Sequence, residues 1–285
     1  MMNMCGIFGY VAYEDIDFKS AVRGLWAIEE DQSIEPHGLS IGKSGAGLLI
    51  YWGDKWLLRQ ARAIGSPCVN IAVKLEEEFG ELTQLYSNIY IGHVRGVYDE
   101  YWWDTLKYFE YLQPYIVSCN PNVKVISSHA GNVTNLSEIR SELSSEHRLA
   151  TEEKGKICGS EVLAHYFDML VNAYGVDKAL DILFDKVEGN NTAAFMVIGK
   201  DVKLAFMHKG ATEGFVLWEN GKGGIVYASR YSSVMSKIGD LLTKLGFEKK
   251  VEIRPGEHGE FKKVYEIPEK FFKRGKPSEV VFVGY

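Results

Sequence analysis

Two tight turns in the later half of this 285-residue chain constrain its fold most. Gly199-Lys200-Asp201 joins the apolar runs 193–199 and 202–208, and Asn220-Gly221-Lys222-Gly223 leads into the run 224–230. Turns this short connect antiparallel neighbours, so the chain must build antiparallel sheets. Further strand-like runs lie at 5–12, 47–52, 88–94 and 123–129. Helical spacing marks 16–31, through Ile16, Ala21, Leu25 and Ile28, and also 135–146, 160–174 and 232–246. Helices interleaved with antiparallel strands must cover the outer faces of the sheets, which predicts an α+β architecture. Without a Pro/Ser linker, an internal repeat or a low-complexity tract, residues 1–285 read as one domain. Residues 1–4 then form a possible leader before Cys5, and 262–285 a C-terminal extension in which 271–283 adds one edge strand.

Charge and composition narrow the partners. The formal charge of -6 and pI near 5.7 argue against a nucleic-acid or anionic-membrane surface. No window approaches the roughly 18 apolar residues of a spanning helix, so no membrane role is expected. Cys5, Cys68, Cys119 and Cys158 are scattered, which is neither a zinc spacing nor a disulfide framework and suits a reducing cytoplasm. The seven histidines never fall at metal-ligand spacing, so neither a metal nor a cofactor is expected. Gly42-Lys43-Ser44 lacks the glycine that a phosphate-cradling loop needs five residues earlier, which removes a nucleoside-triphosphatase reading.

Met4-Cys5-Gly6-Ile7-Phe8-Gly9 carries the sharpest chemical signal. A cysteine exposed as residue one can attack a carbonyl with its sulfur while its own α-amine takes the proton. The alternative is a small buried hydrophobe in a first strand. Met1-Met2-Asn3 precede Met4, so translation from Met1 would leave that amine in a peptide bond. Arg95 closes the run Gly92-His93-Val94-Arg95 before the aromatic stretch Tyr98-Asp99-Glu100-Tyr101-Trp102-Trp103. It can clamp a carboxylate bidentately or serve a structural ion pair. His93 reads as a hydrogen-bonded core histidine. In Ser127-Ser128-His129-Ala130-Gly131-Asn132, Gly131 ends a strand where its amide could approach a reacting carbonyl.

Together these segments resemble the class II glutamine amidotransferase domain, which has the N-terminal nucleophile hydrolase fold. In layout they are most similar to the glutaminase domain of amidophosphoribosyltransferases. Met4-Cys5-Gly6-Ile7-Phe8-Gly9 matches the family's opening, Gly92-His93-Val94-Arg95 its Gly-His-Thr/Val-Arg, and Gln113-Pro114-Tyr115 its Gln-Pro-Phe. The stretch 128–135 is similar to His-Asn-Gly-x-x-x-Asn, and 160–165 to Thr/Ser-Glu-Val-Ile-Ala-His. Tyr227-Ala228-Ser229 and Arg254-Pro255-Gly256-Glu257 are similar to the family's Ala-Ser-Glu and Pro-Gly-Glu elements. The resemblance implies a four-layer αββα sandwich of two antiparallel sheets. It also implies Cys5 as nucleophile, Arg95 on the α-carboxylate of glutamine, and Gly131 as a backbone donor to the oxyanion.

Two positions depart from the family. Ala130 stands where the family places its oxyanion asparagine, and losing one such donor typically costs about 10²–10³ in rate. Gly159 stands where an acidic residue holds the substrate ammonium. The resemblance thus implies an amidohydrolase acting on glutamine or a related amide, with a separate synthase or transferase subunit taking the ammonia. Its alternative is a lapsed member kept as a binding or regulatory subunit.

Overall fold

The computed structural model describes residues 5–32, 44–62, 65–80, 85–97, 104–211, 213–273, 275–276 and 279–285. Met1–Met4, Gly38, Gly42 and the aromatic stretch Tyr98–Trp103 lie outside the described residues. The first strand shows how the layers arise. In β1 (Gly6–Asp17) residues 6–12 are all buried, so the run is continuously apolar rather than alternating. Its side chains still divide with period two: Phe8, Tyr10 and Ala12 enter one apolar layer, Ile7 and Val11 another.

β1 lies near the middle of an eight-stranded sheet. It pairs with β4 (Tyr86–Arg95) on one side and with β10 (Ile225–Ala228) on the other. Beyond β4 come β2 (Gly45–Trp52), β3 (Lys55–Arg62) and β13 (Glu279–Gly284); beyond β10 come β9 (Phe215–Glu219) and β11 (Glu248–Ile253). The second sheet runs β12 (Gly259–Ile267), β8 (Val202–Gly210), β7 (Asn191–Ile198), β6 (Lys124–Gly131), β5 (Tyr115–Val117). Both predicted hairpins form, β7–β8 around Gly199-Lys200-Asp201 and β9–β10 around 220–223.

Helices α1 (Phe18–Gln32), α2 (Pro67–Phe79) and α7 (Tyr231–Lys244) cover the outer face of the larger sheet through Leu25, Ile28, Ile71, Leu75, Val234 and Ile238. Helices α3 (Leu136–Glu142), α5 (Gly159–Tyr174) and α6 (Val176–Lys186) cover the smaller one, with Phe167 against Phe195. The short α4 (Ala150–Glu153) completes seven helices among the described residues. Between the sheets lie Ile7, Leu49, Ile91, Ile126, Met196, Leu204 and Phe206. The predicted αββα sandwich is therefore the observed one.

Residues 262–285 are built into both sheets. They supply most of β12 and then β13, which pairs parallel with β3 while the other described pairings are antiparallel. Arg59, buried on β3, fixes this edge: Nη1 donates to Val281 O at 3.0 Å, while Nε and Nη2 grip Glu78 at 3.0 and 2.6 Å. The Asn88 amide donates to Ala12 O and Phe271 O, at 2.7 and 2.8 Å, tying the C-terminal segment to β1. Among the described residues no helix is long and apolar enough to cross a membrane.

Candidate active site

Strand ends create the site. Gly6 pairs with Val94, so Cys5, just before β1, lies beside the end of β4 where Arg95 and Gly96 follow. Gly131 ends β6 opposite Asn191, and Gly159 opens α5. Cys5, Arg95, Gly131 and Gly159 all line one cavity of about 160 Å³, together with His93, Tyr111, Gln113, His129, Cys158 and Ser160. Ala130 does not line it. Its methyl is fully buried in the apolar layer between the sheets, the layer against which Cys5 packs.

The Cys5 thiol points at Gly96 O, 4.0 Å away. Burial pushes it up to about 12; the Gly96 contact and the Arg95 charge pull down, and the Glu213 carboxylate adds to the rise. With its amine in a peptide bond, this sulfur stays a thiol at neutral pH and needs a base.

The neighbouring histidines are poor bases. Gln113 Oε1 accepts from His129 N at 2.7 Å and its Nε2 donates to His129 O at 2.9 Å, which fixes the amide orientation. The same Nε2 meets His93 Nε2 at 3.0 Å, so that nitrogen is an acceptor and the His93 proton sits on Nδ1, which has no partner among the described residues. Burial, then the His129 and Arg95 charges, lower His93 to about 3. His129 is held at both nitrogens, by Ser160 Oγ at 2.8 Å and Asn191 Oδ1 at 2.9 Å, and burial lowers it to about 4. Both rings are neutral scaffolding around the thiol.

Arg95 is 7% exposed and stacks over Tyr111 at 5.4 Å. Its Nη2 donates to Thr105 Oγ1 and its Nη1 to Tyr111 O at 3.4 Å. Among the described residues no carboxylate lies within ion-pair distance of it. A buried cation facing a cavity without its counter-charge is suited to a carboxylate ligand. Tyr111 is held in turn by the segment leading to α5: its hydroxyl donates towards Thr151 O and Lys156 O, both at 2.9 Å.

Gly131 has φ of +142°, and a Cβ there would stand 2.1 Å from Asn190 O. Only glycine fits at this turn. At Gly159 a Cβ would find its nearest neighbours at 3.8 Å, so its smallness is not required by space.

A larger cavity of about 460 Å³ is lined by Asp31, Arg230, Lys249, Glu252 and Arg254 and holds none of the predicted site residues. Its charges satisfy one another: Arg230 pairs with Asp31 at 2.8 Å and Glu213 at 3.3 Å, and Lys249 with Glu252.

Sequence reasoning misses Tyr111 and Cys158 in the site, and it misses a second cluster altogether. Cys119, His147 and His165 converge from three segments that share no local spacing, so histidine spacing along the chain could not reveal this group of candidate metal ligands.

No family model and no curated protein matches the sequence. Many solved structures are similar, among them the following two. One is a glutamine phosphoribosylpyrophosphate amidotransferase from B. subtilis complexed with ADP and GMP, at 19% identity and TM-score 0.57. The other is described as the allosteric regulatory enzyme of purine biosynthesis, at 18% identity and TM-score 0.56. Each match covers 93% of this chain and 49% of the other, so the chain spans about half the length of these structures. At this identity the likeness is one of fold, and the chain has the fold of the class II glutamine amidotransferase domain that its sequence resembles.

Proposed function

We propose that this chain is an amidohydrolase of the class II glutamine amidotransferase type, releasing ammonia from glutamine or a related carboxylate-bearing amide through a thioester on Cys5. One observation carries the reading: Cys5, Arg95, Gly131 and Gly159, far apart in sequence, line a single small cavity. Arg95 holds the substrate carboxylate and the Gly131 segment faces the carbonyl oxygen. The sulfur attacks the amide carbon, and the thiol proton passes through a base to the leaving nitrogen, which departs as ammonia. Water then cleaves the thioester, returning the thiol and releasing the carboxylic acid. Because His93 and His129 are neutral and engaged, the base is the α-amine of Cys5 once residues 1–4 are removed. Ammonia then passes to a synthase or transferase subunit, and the work takes place in the cytoplasm, where the four free cysteines stay reduced.

The test is ammonia and glutamate release by a chain started at Met4, whose initiator can be removed, against the same chain carrying Cys5→Ala. Activity with the first and at least a thousandfold less with the second is expected; equal rates would exclude Cys5 as the nucleophile.

A second reading has its own support. Among the described residues no Asp or Glu lines the cavity, and Ala130 brings no donor to it. This favours a binding or regulatory domain whose ligand carries a carboxylate without an ammonium. A folded, Met4-started chain that binds such a ligand and releases no ammonia from glutamine would establish it.

A further inference from the structure

The second cluster lies on the smaller sheet's helical side, outside the cavity. Cys119 sits in the turn between β5 and β6, His147 in the connection between α3 and α4, and His165 within α5. The cysteine is exposed and both imidazoles are buried. His147 Nδ1 and His165 Nδ1 are 3.3 Å apart, and Cys119 Sγ lies 3.1 Å from the first and 3.7 Å from the second. A tetrahedral zinc ion with metal–nitrogen distances of about 2.0–2.1 Å and a metal–sulfur distance of about 2.3 Å spaces its ligands similarly, roughly 3.4 Å for N···N and 3.6 Å for S···N. The triangle already has the edges of one face of that tetrahedron.

A separate observation points to the same place. Asp168, one turn after His165 on α5 and so on the same helical face, is fully buried, and its carboxylate faces the Cys119 side chain and backbone and the Asn172 side chain. Its charge acts on Cys119 and His147. A fully buried carboxylate beside the thiol and the imidazoles favours a cation among them.

We propose that Cys119 Sγ, His147 Nδ1 and His165 Nδ1 bind a divalent transition-metal ion, zinc by donor chemistry, with the Asp168 carboxylate at its open side. The thiol loses its proton to solvent on binding, and thiolate and carboxylate together balance the two positive charges. The imidazoles bind neutral, each through Nδ1 with its proton on Nε2. The ion pins the β5–β6 turn and the His147 connection to α5. From His147 the chain runs directly into α4, whose first amides donate to Glu161 Oε1 and Oε2 at 2.7 and 2.9 Å, and on to Cys158 and Gly159 at the cavity. The metal is thus a structural brace behind one wall of the active site, independent of whether Cys5 is catalytic.

The test uses the full chain without a polyhistidine tag, stripped with chelator and titrated with Co²⁺. One ion per chain is expected, with tetrahedral d–d bands, a thiolate-to-cobalt charge-transfer band, and displacement by Zn²⁺. Zinc at a hundredfold excess over its Kd should raise Tm by about 5 °C. Cys119→Ser, at an exposed position that should not impair folding, loses the charge-transfer band, whereas Cys5→Ser keeps it. Asp168→Asn keeps the band and weakens binding about 10–100-fold, the usual effect of removing an outer-shell partner. Failure to bind Co²⁺, or a band that survives Cys119→Ser, overturns the site; unchanged affinity in Asp168→Asn overturns the role given to the carboxylate.

Discussion

Gly159 separates the two readings of the active site at the level of one side chain. It is the first residue of α5, and nothing crowds the place its Cβ would take. An aspartate there would sit in the helix's first turn, where a negative charge contributes about 0.3–1 kcal/mol, and would bring a carboxylate to a cavity lined otherwise by the Arg95 cation. Gly159→Asp should therefore fold with an unchanged or slightly higher Tm. If the cavity takes an amino-acid amide, a new charge-assisted hydrogen bond of about 1.5–3 kcal/mol should tighten glutamine binding about 10–100-fold by calorimetry. A folded variant with unchanged glutamine affinity would mean that no ammonium is bound at this rim. Ala130→Asn is not its counterpart. Ala130 is fully buried in the apolar layer, so the new amide would cost about 1–3 kcal/mol unless it found a partner beside Cys5.

Among the elements, two glycines set how closely the sheets and their connections approach. A Cβ on Gly47 of β2 would lie 1.9 Å from Gln113 O, and one on Gly131 of β6 would lie 2.1 Å from Asn190 O. Both close contacts involve backbone, which cannot rotate away; the first is at the Gln113 clamp that fixes His93 and His129, the second beside Asn191, which holds His129. Gly47→Ala and Gly131→Ala should each cost about 3 kcal/mol in urea unfolding, while Gly159→Ala should be neutral or stabilise by up to about 1 kcal/mol. Equal effects at all three would remove the steric account. The glycines are visible in the sequence, but their purpose is not, because the crowding atoms belong to distant segments. Helices α1, α5 and α7 were legible from apolar spacing to within about two residues. The reading of 135–146 as one helix fails: α3 ends at Glu142, and the chain turns to bury His147 against His165 and Cys119. Helix α2 carries a start signal in Ser66-Pro67, with Ser66 Oγ accepting from Val69 N, that the periodicity reading passed over. Cys5, Arg95 and Gly131 were legible because each stands at a strand end. The Cys119 cluster was not, because its spacing exists only after α5 packs on the sheet.

Across the whole molecule, Glu213 links the sheets to the site's electrostatics. It lies where the chain passes from β8 in the smaller sheet to β9 in the larger one, buried, paired with Arg230, and close enough to act on Cys5. Arg230 also holds Asp31 at the end of α1, so one cation serves a helix end and the sheet crossing. Burial raises the Glu213 carboxyl from 4.5 to about 7 against the pull of Arg230. A carboxyl raised on folding keeps its proton longer in the native state than in the unfolded chain. Its contribution is complete below about pH 4.5 and is lost as pH rises through about 7. The shift corresponds to about 3 kcal/mol. Glu213→Gln lacks this term and leaves Arg230 its bond to Asp31. Relative to wild type, the variant should therefore gain about 3 kcal/mol in stability between pH 4.5 and 8, at roughly 1.4 kcal/mol per pH unit below pH 7. Urea unfolding of both proteins at several pH values measures this directly, and every group common to the two cancels in the difference. A difference independent of pH would show that Glu213 is ionised throughout, leaving the rise in the Cys5 thiol to burial and to a charge that never titrates away.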